Sequence, residues 1–286
     1  MRVSIPFVIL LLLCGAWSCA DNSGIQPPSK QRVLRVVSLE PSNTEIVCAL
    51  GACGELVAVT SDDNYPPSVK SLPKVGSFGS IDLERVVAVQ PQLVLAGLGE
   101  ASRVAPALKS LGIPVLIVEP TDLDGIYRSI LQIGAALGRK SAADALVGEI
   151  RQKVATVVAK VSGLPKRRVF WELSSSLWTA GPGSYIDELI TLAGGVNIAA
   201  SAGAPWLQLS DEEVIAKNPQ VIFLADEGFG ANPATIAQRP GWASLRAVRD
   251  GRVIPVSNID LVSRPGPRVA QALRYIAEEI HPEAFR

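Results

Sequence analysis

One histidine, one methionine and four cysteines are all that 286 residues offer of the softer metal-binding side chains. The lone histidine, His281, lies almost at the C-terminus, so neither a Ser-His-Asp nor a Cys-His mechanism has a base beside a nucleophile. A zinc or copper centre built on imidazoles lacks its ligands for the same reason. Net charge is missing too. Twenty-seven basic and 27 acidic residues cancel, which removes the electrostatic case for nucleic acid. Lys166, Arg167 and Arg168 do cluster, but next to Pro165 and ahead of a strand, where a solvated edge is expected. Gly97-Leu98-Gly99 and Gly228-Phe229-Gly230 follow strands, yet neither continues into a phosphate loop or a dinucleotide fingerprint. Beyond the N-terminus no apolar run approaches the roughly 18 residues that a membrane-spanning helix needs. No enzyme activity, resident cofactor or metal site is expected, and the paired aspartates Asp62-Asp63 read as a solvated loop.

What is present starts with an internal copy. Residues 82–96, DLERVVAVQPQLVLA, return at 210–225 as SDEEVIAKNPQVIFLA, pairing Asp82 with Ser210, Glu84 with Glu212 and Pro91 with Pro219. An offset of 128 residues, from Asp82 to Ser210, is too long for a solenoid repeat. It implies two lobes of like topology, each with a short helix, a proline stop and a buried strand. Small ligands settle in the cleft between such lobes.

The first 19 residues carry Arg2, an apolar run and then Gly15, Ala16 and Ser18, the pattern of a secretory signal. Cys19 fits lipid attachment after cleavage, as in bacterial lipoproteins, and plain cleavage is the alternative. Residues 20–31 read as a flexible tether. In the exported chain Cys48 and Cys53 are free to bridge, but their spacing of five is tight, and two buried thiols are the expectation.

Strand and helix patterns alternate from residue 32 to 138, and again from 164 to 286. The expected fold is α/β: two Rossmann-like lobes with parallel-rich central sheets, joined by one long α-helix within 139–163. Residues 141–161 lack proline and place Ala143, Leu146, Val147, Ile150, Val154, Val157, Val158 and Val161 on one stripe. A helical strut of that length bends little, so only a small closure is expected. Ser42 and Glu45 have capping-box spacing at the start of the first helix. Loops at the C-terminal strand ends, where open α/β sheets bind ligands, carry Tyr65, Phe78, Trp178, Trp206 and Phe229 in a chain with 5% aromatics. Such faces suit a large, flat, partly apolar ligand.

SLEPSNTEIVCALG, DNYPP, VGSFGSIDLERVVAVQPQLVLA, GPGSYIDELITLAGGVNIA, PWLQLSDEEVIAKNPQVIF and SRPGPRVAQAL stand in order over nearly the whole mature chain. Together they resemble the helix-backbone (class III) periplasmic solute-binding proteins of ABC importers. DNYPP, APWLQLS and the 263–268 segment are most similar to the cobalamin-binding members. That resemblance implies a monomeric protein, on the extracytoplasmic side of the membrane, that captures a corrinoid and delivers it to an ABC permease dimer. It implies ligand contacts from Asp62, Tyr65, Phe78, Trp206, Phe229 and a late loop of Asp260, Leu261, Val262, Ser263 and Arg264. Asp62 stands where cobalamin binders can have tyrosine, and Phe78 where tryptophan is common. It also implies that Glu84 and Glu212 meet arginines of the permease. A ferric siderophore or haem carrier of the same fold is the alternative ligand class. An exported hydrolase or metal-dependent enzyme is the alternative of a different kind.

Overall fold

Val36, Val37 and Ser38 are completely buried, and they form the central strand on which the N-terminal lobe is built. In the computed structural model, which describes residues 34–77, 79–226 and 230–286, this strand lies between Leu56–Ala58 and Leu93–Ala96. Val115–Ile117 completes a four-stranded, all-parallel sheet. Parallel pairing demands a covered crossover, which is why each strand is followed by a helix. In the second lobe Arg167–Glu172 is flanked by Val221–Leu224, with Val253–Pro255 beyond it, all parallel. Gly195–Asn197 also pairs parallel with its first half. Trp178–Ala180 and Trp206–Gln208 extend the edge antiparallel.

The lobes are joined by a single helix of 22 residues, Lys140–Val161. At 1.5 Å per residue it is roughly 33 Å long. Six residues of its predicted stripe, from Ala143 to Val161, are buried, and Leu146 and Val158 at its margin are half-buried. It packs on one side against Leu123–Ala136 and on the other against the terminal helix Val269–Ile280. Gly134 permits the first contact, because a Cβ there would come within 2.4 Å of the Ala143 Cβ. One apolar core therefore runs from Val36 and Ile46 through Val154 to Trp171 and Ile276. Lobe opening has to shear this shared core, the physical reason to expect little of it.

The internal repeat is conserved in geometry as well as in letters. Asp82 caps Leu83–Ala88 by accepting from the Arg85 N–H, and Ser210 forms a capping box with Glu213 on Asp211–Lys217. The helices stop on left-handed residues at the same register, Gln90 (φ 47°) and Asn218 (φ 44°). An arginine at each lobe's first strand, Arg35 just before Val36 and Arg168 within Arg167–Glu172, closes the helix end. Arg35 Nε donates to the carbonyls of Val89 and Gln90, both at 3.2 Å. Arg168 Nε donates to those of Lys217 and Asn218, at 2.9 and 3.0 Å.

Three local expectations change. The first helix, Pro41–Ala49, is preceded by Glu40 and has no side-chain cap; Ser42 and Glu45 form no capping box, because Glu45 is turned toward two arginines. Cys48 and Cys53 are not free thiols but a disulfide with Cα atoms 4.1 Å apart. The left-handed Gly51 (φ 72°) folds the chain back after the helix and sets one cysteine over the other. The helix Leu98–Ser110 carries Pro106 inside it. The late loop contains a short helix, Ile259–Ser263, capped by the Asn258 side chain.

Candidate ligand-binding site

A cavity of about 470 Å³ opens between the lobes. Glu40, Ser42, Gly97, Val118 and Glu119 line it from the first lobe, and Trp171, Tyr185, Trp206, Ile259 and Val262 from the second. Strand alternation explains the floor. In Arg167–Glu172, Phe170 and Glu172 face the outer helices, while Trp171, with Leu173 just beyond the strand, faces the cleft. Trp171 is itself held by stacking on Phe223, with ring centroids 5.0 Å apart. The Trp171 indole nitrogen and the Tyr185 hydroxyl are buried without hydrogen-bond partners among the described residues. Burial, with Glu188 and Glu45 nearby, pushes the Tyr185 phenol up, so it remains a neutral donor.

Trp206 is half exposed on the antiparallel edge ribbon. Trp206 lies opposite Ala180 and Gln208 opposite Trp178, so the two tryptophans share one face of that ribbon as diagonal neighbours. Among the predicted contacts, Trp206, Val262 and Ser263 line the cavity. Asp62, Tyr65, Asp260, Leu261 and Arg264 are not among its lining residues. Helical geometry separates the late-loop set: Ile259, Val262 and Ser263 fall on one face, Asp260 and Arg264 on another. Leu261 packs against the apolar core. Phe78, Phe229 and Cys19 lie outside the described residues.

The other face of that short helix builds a lobe-to-lobe lock. Arg268 makes a bidentate pair with Glu45, both contacts at 2.6 Å. Its guanidinium carbon sits 4.1 Å from the centre of the Tyr65 ring. Arg264 donates to the Asn64 side chain at 2.9 Å and to the Asp62 carbonyl at 3.0 Å, and it pairs with Asp260 at 2.8 Å. Asn64 in turn donates to Asp260 at 2.7 Å. Both late arginines are thereby engaged by the protein itself. Sequence reasoning missed Trp171, Tyr185, Glu119 and Ile259, and the strand alternation around Trp171 is the one signal that pointed to the floor.

Glu84 and Glu212 are exposed in the first turns of the repeated helices, and neither has an ion-pair partner among the described residues. The same capping and closure on both sides present them in equivalent settings. No group of three or more metal-binding side chains occurs among the described residues, and no described helix is long and apolar enough to cross a membrane.

Residues 36–258 match the model of a family described as periplasmic binding protein. The chain belongs to this family. An uncharacterised ABC transporter substrate-binding lipoprotein of Bacillus subtilis is 35% identical over 275 residues, covering 93% of this chain and 86% of that one. A vitamin B12-binding protein of Salmonella typhimurium is 33% identical over 248 residues, covering 86% and 90%. A periplasmic haem-binding protein of Roseiflexus, solved in its apo form, superposes with a TM-score of 0.78 at 28% identity, covering 88% and 99%. This binding protein is thus an extracytoplasmic substrate-binding component of an ABC transporter, working with a ligand and a permease, and not an enzyme.

Proposed function

We propose that the cleft captures cobalamin or a related corrinoid and delivers it to a two-fold ABC permease. The observation that carries this reading is the character of the wall. It offers Trp206 and Trp171 with aliphatic neighbours, and no lysine or arginine is among the described residues that line it. Ferric siderophores are often anionic and haem carries two propionates; both call for cations that Arg264 and Arg268, locked to Glu45 and Asp260, do not provide. A neutral, amide-rimmed macrocycle meets no such demand. The haem reading keeps support from the likeness to a haem-binding protein. Glu84 and Glu212 are the proposed contacts to the permease, and Cys19 the proposed lipid anchor.

Tryptophan fluorescence titration divides the ligand classes. Saturable quenching by cyanocobalamin, with little response to haem or ferric hydroxamate, is expected. Saturable quenching by haem alone would replace the corrinoid reading.

A further inference from the structure

The short helix Ile259–Ser263 presents different faces to the cavity and to the first lobe. One face lines the cavity with Ile259, Val262 and Ser263. The other reaches across to the loop that follows Leu56–Ala58, where it meets Asn64. The Asn64 amide nitrogen donates to the Asp260 carboxylate at 2.7 Å, and its carbonyl oxygen accepts from Arg264 Nη1 at 2.9 Å. Asp260 and Arg264 are themselves paired at 2.8 Å, so three side chains close a ring of contacts that spans the lobes. Arg268, held by Glu45, also donates to the Asp260 main-chain carbonyl at 3.4 Å. Asn64 is not among the residues that line the cavity.

We propose that Asn64 is a positioning residue for the ligand: by holding Asp260 and Arg264 it fixes the turn of helix that sets Ile259 and Ser263 at the cavity wall. Five residues make little more than one helical turn, too few to hold that shape through their own hydrogen bonds. Their orientation is therefore set by what they touch. Ile259 is 40% exposed, so burial does little to hold it. An amide suits the ring because one short side chain carries both a donor and an acceptor, and so serves a carboxylate and a guanidinium together. Aspartate at 64 would meet Asp260 with like charge and no proton, and alanine would leave both partners unmatched. Parting Asn64 from Asp260 frees the wall, so a lobe-to-lobe contact outside the cavity sets part of the affinity within it.

This inference concerns the wall and not the ligand's identity, so it stands apart from the corrinoid reading. Cyanocobalamin is titrated by tryptophan fluorescence, and haem takes its place if the wild type binds haem instead. The variants are Asn64→Asp, Asn64→Ala, Asp260→Asn and the exchange of Asn64→Asp with Asp260→Asn, which keeps donor, acceptor and charge but reverses their places. Thermal unfolding identifies the folded variants. Each single change is expected to weaken binding roughly three- to ten-fold, the size of one hydrogen bond. The exchange is expected to recover the wild-type affinity to within about two-fold. Beside Ile259→Ala, the loss from Asn64→Ala is expected to shrink, because the side chain being placed is gone. Unchanged affinity in folded Asn64→Ala or Asn64→Asp would overturn the inference. So would an exchange variant as weak as the single ones, or an Asn64→Ala loss undiminished beside Ile259→Ala. A wild type that binds neither probe would remove the cavity as the ligand site and overturn it as well.

Discussion

Arg268 and Glu45, 223 residues apart in sequence, meet in a bidentate ion pair that ties the second lobe to the first. Glu45 is almost fully buried and Arg268 nearly so. Removing one member of such a pair strands a buried charge at a cost of about 3 kcal/mol. Glu45→Ala is expected to lower the unfolding free energy by about that amount in urea titration. A paired Glu45→Met, Arg268→Met change is expected to recover most of it; a double variant no more stable than the single would show that the charges themselves hold the lobes.

Trp206 and Trp178 share a ribbon face at the cleft edge. Trp206→Ala is expected to weaken cyanocobalamin about ten-fold, the scale of a central aromatic anchor. Trp178→Ala is expected to cost less, because Trp178 is not among the cavity-lining residues. Equal losses measured by fluorescence titration would move the ligand's centre outward along the ribbon.

Glu84 and Glu212 are exposed, and neither has an ion-pair partner among the described residues. Charge reversal at both, Glu84→Arg with Glu212→Arg, is expected to abolish uptake in reconstituted vesicles while leaving ligand affinity intact. Undiminished uptake would rule out the docking role.

Glu172 and Asp226 lie beside Arg239, which reaches Glu172 at 2.6 and 2.7 Å. Burial pushes both carboxyls above their ordinary values, against the pull of Arg239. The folded chain therefore holds these protons more tightly than the unfolded chain. Their contribution to stability is complete below the unfolded carboxylate range and is lost as pH rises through the folded values. Asp226→Asn removes one such group. The Tm difference in favour of the variant is expected to grow between about pH 4 and about pH 7. A difference that shrinks over that range would contradict the assignment.

The Cys48–Cys53 disulfide closes a loop with a sequence separation of only five. Chain-entropy arithmetic for so short a loop gives about 2 kcal/mol. Cys48→Ala with Cys53→Ala is expected to lower stability by no more than that and to leave ligand binding unchanged.

The sequence alone determined what depends on local pattern. Buried β-branched runs, a proline-free stripe from Ala143 to Val161 and a copied helix with its proline stop dictate two α/β lobes and a strut, because burial period and helix signals are local properties. Only the tertiary structure decided the partners of charge and the aim of side chains. Glu45 has the spacing of a capping residue, yet an arginine from the far end of the chain offers its carboxylate two hydrogen bonds in a buried setting. Asp260 and Arg264 have the chemistry of ligand contacts, yet one turn of helix sends them to the lobe lock and leaves Val262 and Ser263 facing the cavity. Which face a residue presents is fixed by neighbours distant in sequence, and no window along the chain contains them.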